Sequence, residues 1–241
     1  MKKKTEDFVA IIPARTGSRE VTNKNIKKLN GHSLLAYTIE AVKKSKFINK
    51  IYVSTDGKKI SNIAKSYGAK VIKRPKSLSG NIIMPDDAVT HAIKYLENEN
   101  LFNFKNVVFL QPTSPLRSIN DIDNAIKIFK KEKSDSLFSS VDMHVAIWKQ
   151  KKKLKPFNHS FKKRLRRQDS AKQFIENGSF YIANKKIYKK TNLRLGGKIS
   201  TYVMKNWSLF EIDTAEDFKT ISFILKSGII KKEKLIVPKK I

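Results

Sequence analysis

Cysteine is absent from the chain, which therefore holds neither a disulfide framework nor a thiolate metal site. Its four histidines, His32, His91, His144 and His159, are scattered without HxxxH or HxH spacing. A zinc centre is not expected, and any metal would need oxygen ligands. No stretch approaches the roughly 20 consecutive apolar residues of a membrane span. The opening "MKKKTEDFVAIIPAR" sets basic residues ahead of an apolar run in the manner of a signal peptide, but Glu6 and Asp7 interrupt it and the run is only "FVAII". The expectation is a soluble cytoplasmic protein without membrane attachment. Both named phosphate fingerprints, GxGxxG and GxxxxGK[ST], are missing, as are internal repeats and low-complexity tracts. Acidic residues are scarce: 21 Asp and Glu stand against 51 Lys and Arg, a net charge of +30. Nucleic-acid binding, membrane-surface attachment and an enzyme with anionic substrates all compete for that charge. The lysines are spread over the whole chain. The densest cluster, "FKKRLRRQ" from Phe161 to Gln168, is local and has no recognisable DNA or RNA motif around it, so a nucleic-acid partner is not expected.

With 241 residues, 40% of them hydrophobic, the chain is long enough for one sizeable core, and a single α/β domain over residues 1–241 is predicted. Apolar runs alternate with helical periodicity through the first 140 or so residues, the signature of a mostly parallel sheet covered by helices. Strands are predicted at Phe8–Ile12, Lys50–Asp56, "AKVIKR", Asn106–Gln111 and "DSLFSSV". Helices are predicted at Ser33–Ser45, over "KKISNIAKSYG", from near Asp86, and from "NDID" to about Lys131. From Met143 to Gln173 the sequence is lysine-rich, weakly periodic and interrupted by Pro156, and reads as an excursion that serves as a lid or an interaction arm. Regular structure resumes in "GSFYIAN", "KISTYVM", an extended "SLFEID" and a last helix "TAEDFKTISFILKSG", with a peripheral tail.

Three stretches could carry chemistry. Ligands of an open parallel sheet sit at the carboxyl ends of its strands, so the loop after "FVAIIPA" is the first. It presents Arg15, Gly17, Ser18, Arg19, Lys24 and Asn25: a glycine for close backbone approach, hydrogen-bond donors, and cations that would neutralise a polyphosphate. A solvated basic turn is the alternative. The second is "FLQPTSPLR", where two prolines stiffen a loop offering Gln111, Thr113, Ser114 and Arg117; alone, it could be a rigid turn with Arg117 as a cap. The third is "FEIDTAEDF". Glu211 and Asp213, two residues apart in an extended segment, share a face and suit Mg²⁺, which takes hard oxygens and bridges substrate phosphates. Capping of the following helix by Asp213 or Thr214 is the competing role.

Taken together and in this order, "IIPARTGSREVTNKNI", "VSTD", "RPKSLSG", "LQPTSPLR", "RRQ", "ENGSFYI" and "FEIDTAEDF" resemble the acylneuraminate cytidylyltransferase family, the CMP-sialic acid synthetases and their legionaminic-acid relatives. The likeness covers nearly the full chain. It implies a three-layer nucleotide-binding α/β fold whose excursion at 143–173 makes contacts across a homodimer. It implies transfer of CMP from CTP to a nonulosonic acid, with Mg²⁺ and release of pyrophosphate. By the same resemblance Arg15, Ser18, Arg19, Lys24, Asn25 and Arg74 would serve the nucleotide, and Gln111 would stand between nucleotide and sugar. Lys149, Arg167, Asn177 and Tyr181 would face the sugar acid, and Glu211 and Asp213 would hold the metal. The opening loop departs from the family's usual Lys-Gly with Arg19-Glu20, Asn81 replaces an aspartate, and Glu211 is one methylene longer than the usual aspartate. Cytidylyltransfer to another keto sugar acid and a non-catalytic basic nucleotide- or nucleic-acid-binding protein are the other readings.

Overall fold

The computed structural model describes residues 5–17, 20–80, 82–99, 102–230 and 234–239. Ser18, Arg19 and Asn81 lie outside them.

Strand β1 (Thr5–Pro13) shows why the first apolar run is buried on both faces. Phe8, Ala10 and Ile12 point into one core cluster while Val9 and Ile11 point into the other, all five with no exposed surface. A continuous apolar run, rather than an alternating one, is what a parallel strand covered by helices on both sides requires.

Around it the chain lays down β2 (Lys28–Leu29), β3 (His32–Ser33), helix α1 (Leu34–Lys43), β4 (Ile48–Thr55), α2 (Lys58–Ser66), β5 (Lys70–Lys73), α3 (Pro85–Asn98), β6 (Asn103–Leu110), α4 (Asp121–Lys131) and β7 (Ser136–Asp142). The remainder comprises β8 (Trp148–Gln150), β9 (Leu154–Pro156), β10 (Phe174–Asn184), α5 (Lys185–Thr191), β11 (Ile199–Met204) and α6 (Ala215–Ser227). Seven strands form the central sheet in the order β11-β7-β10-β6-β1-β4-β5, with β10 antiparallel to both neighbours and the other pairs parallel. Apolar residues of α1, α2 and α4 join the cluster on one face of the sheet, and those of α3 and α5 join the cluster on the other. This is the predicted three-layer, mostly parallel architecture.

Local chemistry sets the helix ends. Pro85 opens α3, and the Asp87 carboxylate accepts from the Met84 amide at 3.1 Å. Thr214 caps α6 by accepting from the Asp217 amide at 3.2 Å, and Gly228 in the left-handed region (φ 71°) closes it. In helix α1 every residue from Leu34 to Val42 is buried. Leu35, Ile39 and Val42 pack on the sheet, whereas Leu34 and Tyr37 join Leu29, Leu116, Ile212 and Ile221 in a third cluster beneath α6.

Two other expectations are corrected. "SLFEID" is not a strand: Asn206–Leu209 form a single 3₁₀ turn, and residues 210–213 run on without sheet partners. The tail is not peripheral throughout, since Ile236 is buried against the first cluster and its amide donates to the Arg117 carbonyl at 2.9 Å.

Between β7 and β10, residues 143–173 form the excursion, built on the antiparallel hairpin of β8 and β9. Asn158 ties its base, accepting from the Ile147 amide at 2.8 Å and donating to the Val145 carbonyl at 2.8 Å. Trp148, Leu154, Phe157 and Phe161 all remain exposed along it.

Candidate nucleotide-binding site

At the carboxyl ends of β1 and β6 lies a cavity of about 510 Å³. Arg15, Glu20, Lys24 and Asn25 from the first loop, Arg74 after β5, Gln111–Thr113 after β6, and Glu211 and Asp213 line it, with Ile83, Met84, Pro85 and Phe109 as an apolar wall. The topology puts it there: β1 and β6 are adjacent near the sheet centre, and the strand order runs from β1 toward β4 on one side and from β6 toward β10 and β7 on the other.

The first loop is held from three sides. Thr16 donates to Asp56 through its amide at 2.9 Å and its hydroxyl at 2.5 Å, clamping the loop to the end of β4. Burial works against the Asp56 charge, yet these bonds and the nearby Arg74 hold its carboxyl below the ordinary range. Asn25 is buried and donates to the Arg15 carbonyl at 3.0 Å, so its side chain supports the loop from within. Lys24 donates to the Ile212 carbonyl and to Asp213, both at 2.9 Å, joining the first loop to the acidic segment across 188 residues of sequence. Arg74 is almost wholly buried and donates through Nε to the Ser54 hydroxyl at 3.3 Å. Burial lowers its pKa to about 10, which still leaves it cationic at neutral pH.

The acidic segment works without being a strand. Ile212 buries its side chain in the third cluster and donates its amide to the Thr113 carbonyl at 2.8 Å, so the residues flanking it, Glu211 and Asp213, both reach the cavity. Glu211 accepts from the Ser114 hydroxyl at 3.0 Å. Burial raises the pKa of Glu211, Ser114 pulls it back, Asp213 raises it further, and Arg117 and Lys24 oppose that. The competing capping role falls to Thr214 and Asp217, which leaves Asp213 free to turn inward.

Would a divalent cation fit? Among the described residues no group of three or more His, Cys, Asp or Glu could hold one. What is present is two carboxylates, Glu211 and Asp213, both lining the cavity, and the Ile212 carbonyl, which with Asp213 accepts from the Lys24 ammonium. A Mg²⁺ ion characteristically keeps several waters and takes one or two carboxylates plus substrate phosphates, and this donor set matches that chemistry.

The floor is fixed by Gln111 and Gly178. Gln111 Nε2 donates to the Gly178 carbonyl at 2.7 Å. Gly178 has φ 62°, and a Cβ there would stand 1.7 Å from Glu211 Oε1 and 2.9 Å from Gln111 Nε2. The "ENG" signal thus has a physical reason, because only glycine leaves room for both side chains.

Of the residues expected at the sugar, Gln111 lines this cavity, whereas Lys149, Arg167, Asn177 and Tyr181 do not. Asn177 is buried: it accepts from the Ser139 hydroxyl at 2.6 Å and donates to the Ser208 hydroxyl at 2.7 Å, a support for the turn before Gly178. Tyr181 is also buried, stacked on Phe109 with ring centroids 5.5 Å apart and donating to Glu176 at 2.8 Å. Both side chains are thus engaged in the interior, where the resemblance placed a ligand contact. Lys149 is exposed on β8 over the Phe157 ring, and Arg167 lines a separate depression of about 380 Å³ with Asp142 and His144 at the base of the excursion. Sequence reasoning did not single out the Thr16–Asp56 clamp, although "VSTD" is one of the motif segments, nor the apolar wall, for which "NIIMP" carried no recognisable signal.

Fold and cavity define a nucleotide-binding α/β protein with a cationic wall facing a pair of carboxylates. A family model described as cytidylyltransferase matches residues 9–236, and the chain belongs to that family. It is 32% identical to N-acylneuraminate cytidylyltransferase A of Danio rerio over 97% of this chain and 54% of the relative. It is 29% identical to a pseudaminic acid cytidylyltransferase of Campylobacter jejuni over 90% of this chain and 96% of that one. The chain thus spans about half the length of the first relative and nearly all of the second. Among solved structures, a CMP:2-keto-3-deoxy-manno-octonic acid synthetase complexed with CTP superimposes with a TM-score of 0.70 at 12% identity, covering 92% of this chain and 100% of the other, a likeness of fold.

Proposed function

We propose that the protein transfers CMP from CTP to a sialic-acid-like nonulosonic acid, releasing pyrophosphate. One observation carries this reading: in a member of a cytidylyltransferase family, Arg15, Lys24 and Arg74 converge with Glu211 and Asp213 on one cavity around Gln111. In the reaction the anomeric hydroxyl oxygen of the acid forms a bond to the α-phosphorus of CTP. The bond from that phosphorus to the bridging oxygen breaks, pyrophosphate leaves with the electron pair, and the hydroxyl proton passes to solvent or to a nearby base.

Negative charge spreads over the phosphates as this happens, so positioning and charge neutralisation supply most of the acceleration. Arg15 and Lys24 sit on the first loop to bind the triphosphate, with Ser18 and Arg19 of the same loop assigned to it by family resemblance. Arg74, held rigid by burial, fixes the nucleotide end. Gln111 lies on the floor between that end and the acceptor. Glu211 and Asp213 are the residues that would hold Mg²⁺, which when bound neutralises phosphate charge. Lys24 must then shift its contact from Asp213 toward the phosphates, since one carboxylate cannot serve both cations fully.

The acceptor side rests on the excursion. Its exposed Trp148, Leu154, Phe157 and Phe161 form an apolar surface rimmed by lysines, which supports a homodimer in which Lys149 and Arg167 approach a substrate acid across the interface. The protein acts as a cytoplasmic homodimer in this reading.

Pyrophosphate release from CTP, Mg²⁺ and a panel of nonulosonic and octulosonic acids tests the proposal. Turnover with a nonulosonic acid is expected. Turnover confined to an eight-carbon acid would redirect the acceptor assignment, and none with any acid would overturn the enzyme reading.

A further inference from the structure

Beneath the cavity lies a guanidinium to which the reaction as proposed gives no task. Arg117 is fully buried and is the largest of the fully buried side chains among the described residues. Its Nη2 donates to the carbonyls of Gln111 and Ser179, both at 2.7 Å, and its Nη1 donates to the Thr38 hydroxyl at 3.1 Å. Its Nε has no hydrogen-bond partner among the described residues. A buried cation is costly to retain, and an apolar side chain of similar size would serve packing as well or better.

The bonds show what it holds. Gln111 and Ser179 belong to the two segments that form the cavity floor, the end of β6 and the Gly178 turn of β10. One nitrogen bridges their carbonyls, while the Gln111 side chain itself donates to the Gly178 carbonyl. Thr38 anchors the same guanidinium to α1, at the centre of the best-buried helix. The ladder between β6 and β10 ends at Leu110 and Phe180, and beyond it the Gln111 amide reaches the Ser179 carbonyl at 3.3 Å. The fork therefore extends the tie between the two segments past the end of that ladder.

We infer that Arg117 is a positioning residue: it locks Gln111 and the 177–179 turn together so that the Gln111 amide and Glu211 present a fixed face to the nucleotide. This rests on the proposed CTP site. Lysine keeps the charge but cannot bridge two carbonyls and a hydroxyl with a planar fork, which makes Arg117→Lys the informative change.

A double-mutant cycle on CTP affinity, measured by calorimetry in the presence of Mg²⁺, tests the inference without needing the acceptor. Arg117→Lys is expected to weaken CTP binding about tenfold in the wild-type background, and less than about twofold when Gln111 is already alanine. Equal losses in both backgrounds, or wild-type affinity in a folded Arg117→Lys protein, would show that Arg117 only supports the fold. Should Arg117→Lys fail to fold, Thr38→Val removes one anchor of the fork, and the same non-additivity with Gln111→Ala is required at smaller size. Wild-type protein that binds CTP but turns over no acid would refute the acceptor reading and leave this inference standing. Wild-type protein that binds no CTP would refute both.

Discussion

At the scale of single residues the site depends on room as much as on charge. Gly178 is the sharpest case, because a methyl group there would overlap the Glu211 carboxylate and meet Gln111, at a φ that already costs an L-residue about 1 kcal/mol or more. Gly178→Ala is expected to displace Glu211, weaken Mg²⁺-dependent turnover by at least about tenfold and lower the thermal midpoint by a few degrees, read by pyrophosphate release and melting. Asp56 makes a prediction about pH. Its folded-state pKa lies below the ordinary 3.8, so its contribution to stability is fully present above that value and is lost as pH falls through the lower, folded one. Asp56→Asn should therefore destabilise the protein by about 1 kcal/mol at neutral pH, with the gap to wild type constant down to about pH 5 and closing below about pH 4. Melting curves across that range check it, and a gap that widens in acid would reverse the sign assigned to Asp56.

At the scale of elements, the molecule divides between those whose place the core dictates and those that the core leaves outside. Helix α1 is buried all round because a third apolar cluster under α6 takes the side that the sheet does not. The excursion is the opposite, a hairpin exposed along its length and holding its apolar residues toward solvent. Its physics suits a surface completed by a second copy. For the proposed homodimer, replacing both Leu154 and Phe157 by aspartate is expected to give a monomer by light scattering and to depress turnover at least tenfold, while CTP affinity at the proposed site, which lies within one chain, stays within about twofold. A variant that remains dimeric would place the interface elsewhere.

For the whole molecule the dominant number is the net charge of +30. The fold converts only a small part of it into a site: Arg15, Lys24 and Arg74 line the cavity, while most lysines lie on the surface. For the proposed CTP and sugar-acid substrates that excess would raise local concentration and encounter rate, an effect that salt screens over about 10 Å at moderate ionic strength. In the proposed reaction, steering by the whole charge and charge neutralisation by the three cavity cations are thus separate contributions. No described helix is long and apolar enough to cross a membrane.

Much of this was legible in the sequence. The apolar run Phe8–Ile12 pointed to a buried strand, the alternation of apolar runs with helical periodicity pointed to a mostly parallel sheet covered by helices, and the strand-end loops after β1 and β6 were the expected place of a site, where the structure has a cavity, because those patterns express short-range physics. The pairing of Glu211 with Asp213 was legible too, although for a reason other than the one expected: the period of two survives in a segment that is no strand, fixed by the burial of Ile212 between them. Other roles depended on neighbours distant in sequence. Nothing local distinguishes Asn177, which the fold turns inward, from an asparagine that meets a ligand, or marks Arg117 as a buried fork rather than a cap. Which of the chain's 51 basic residues become a site was decided only when the sheet brought residues 15, 24 and 74 beside 211 and 213, since hydrogen-bond partners and burial are properties of the assembled structure.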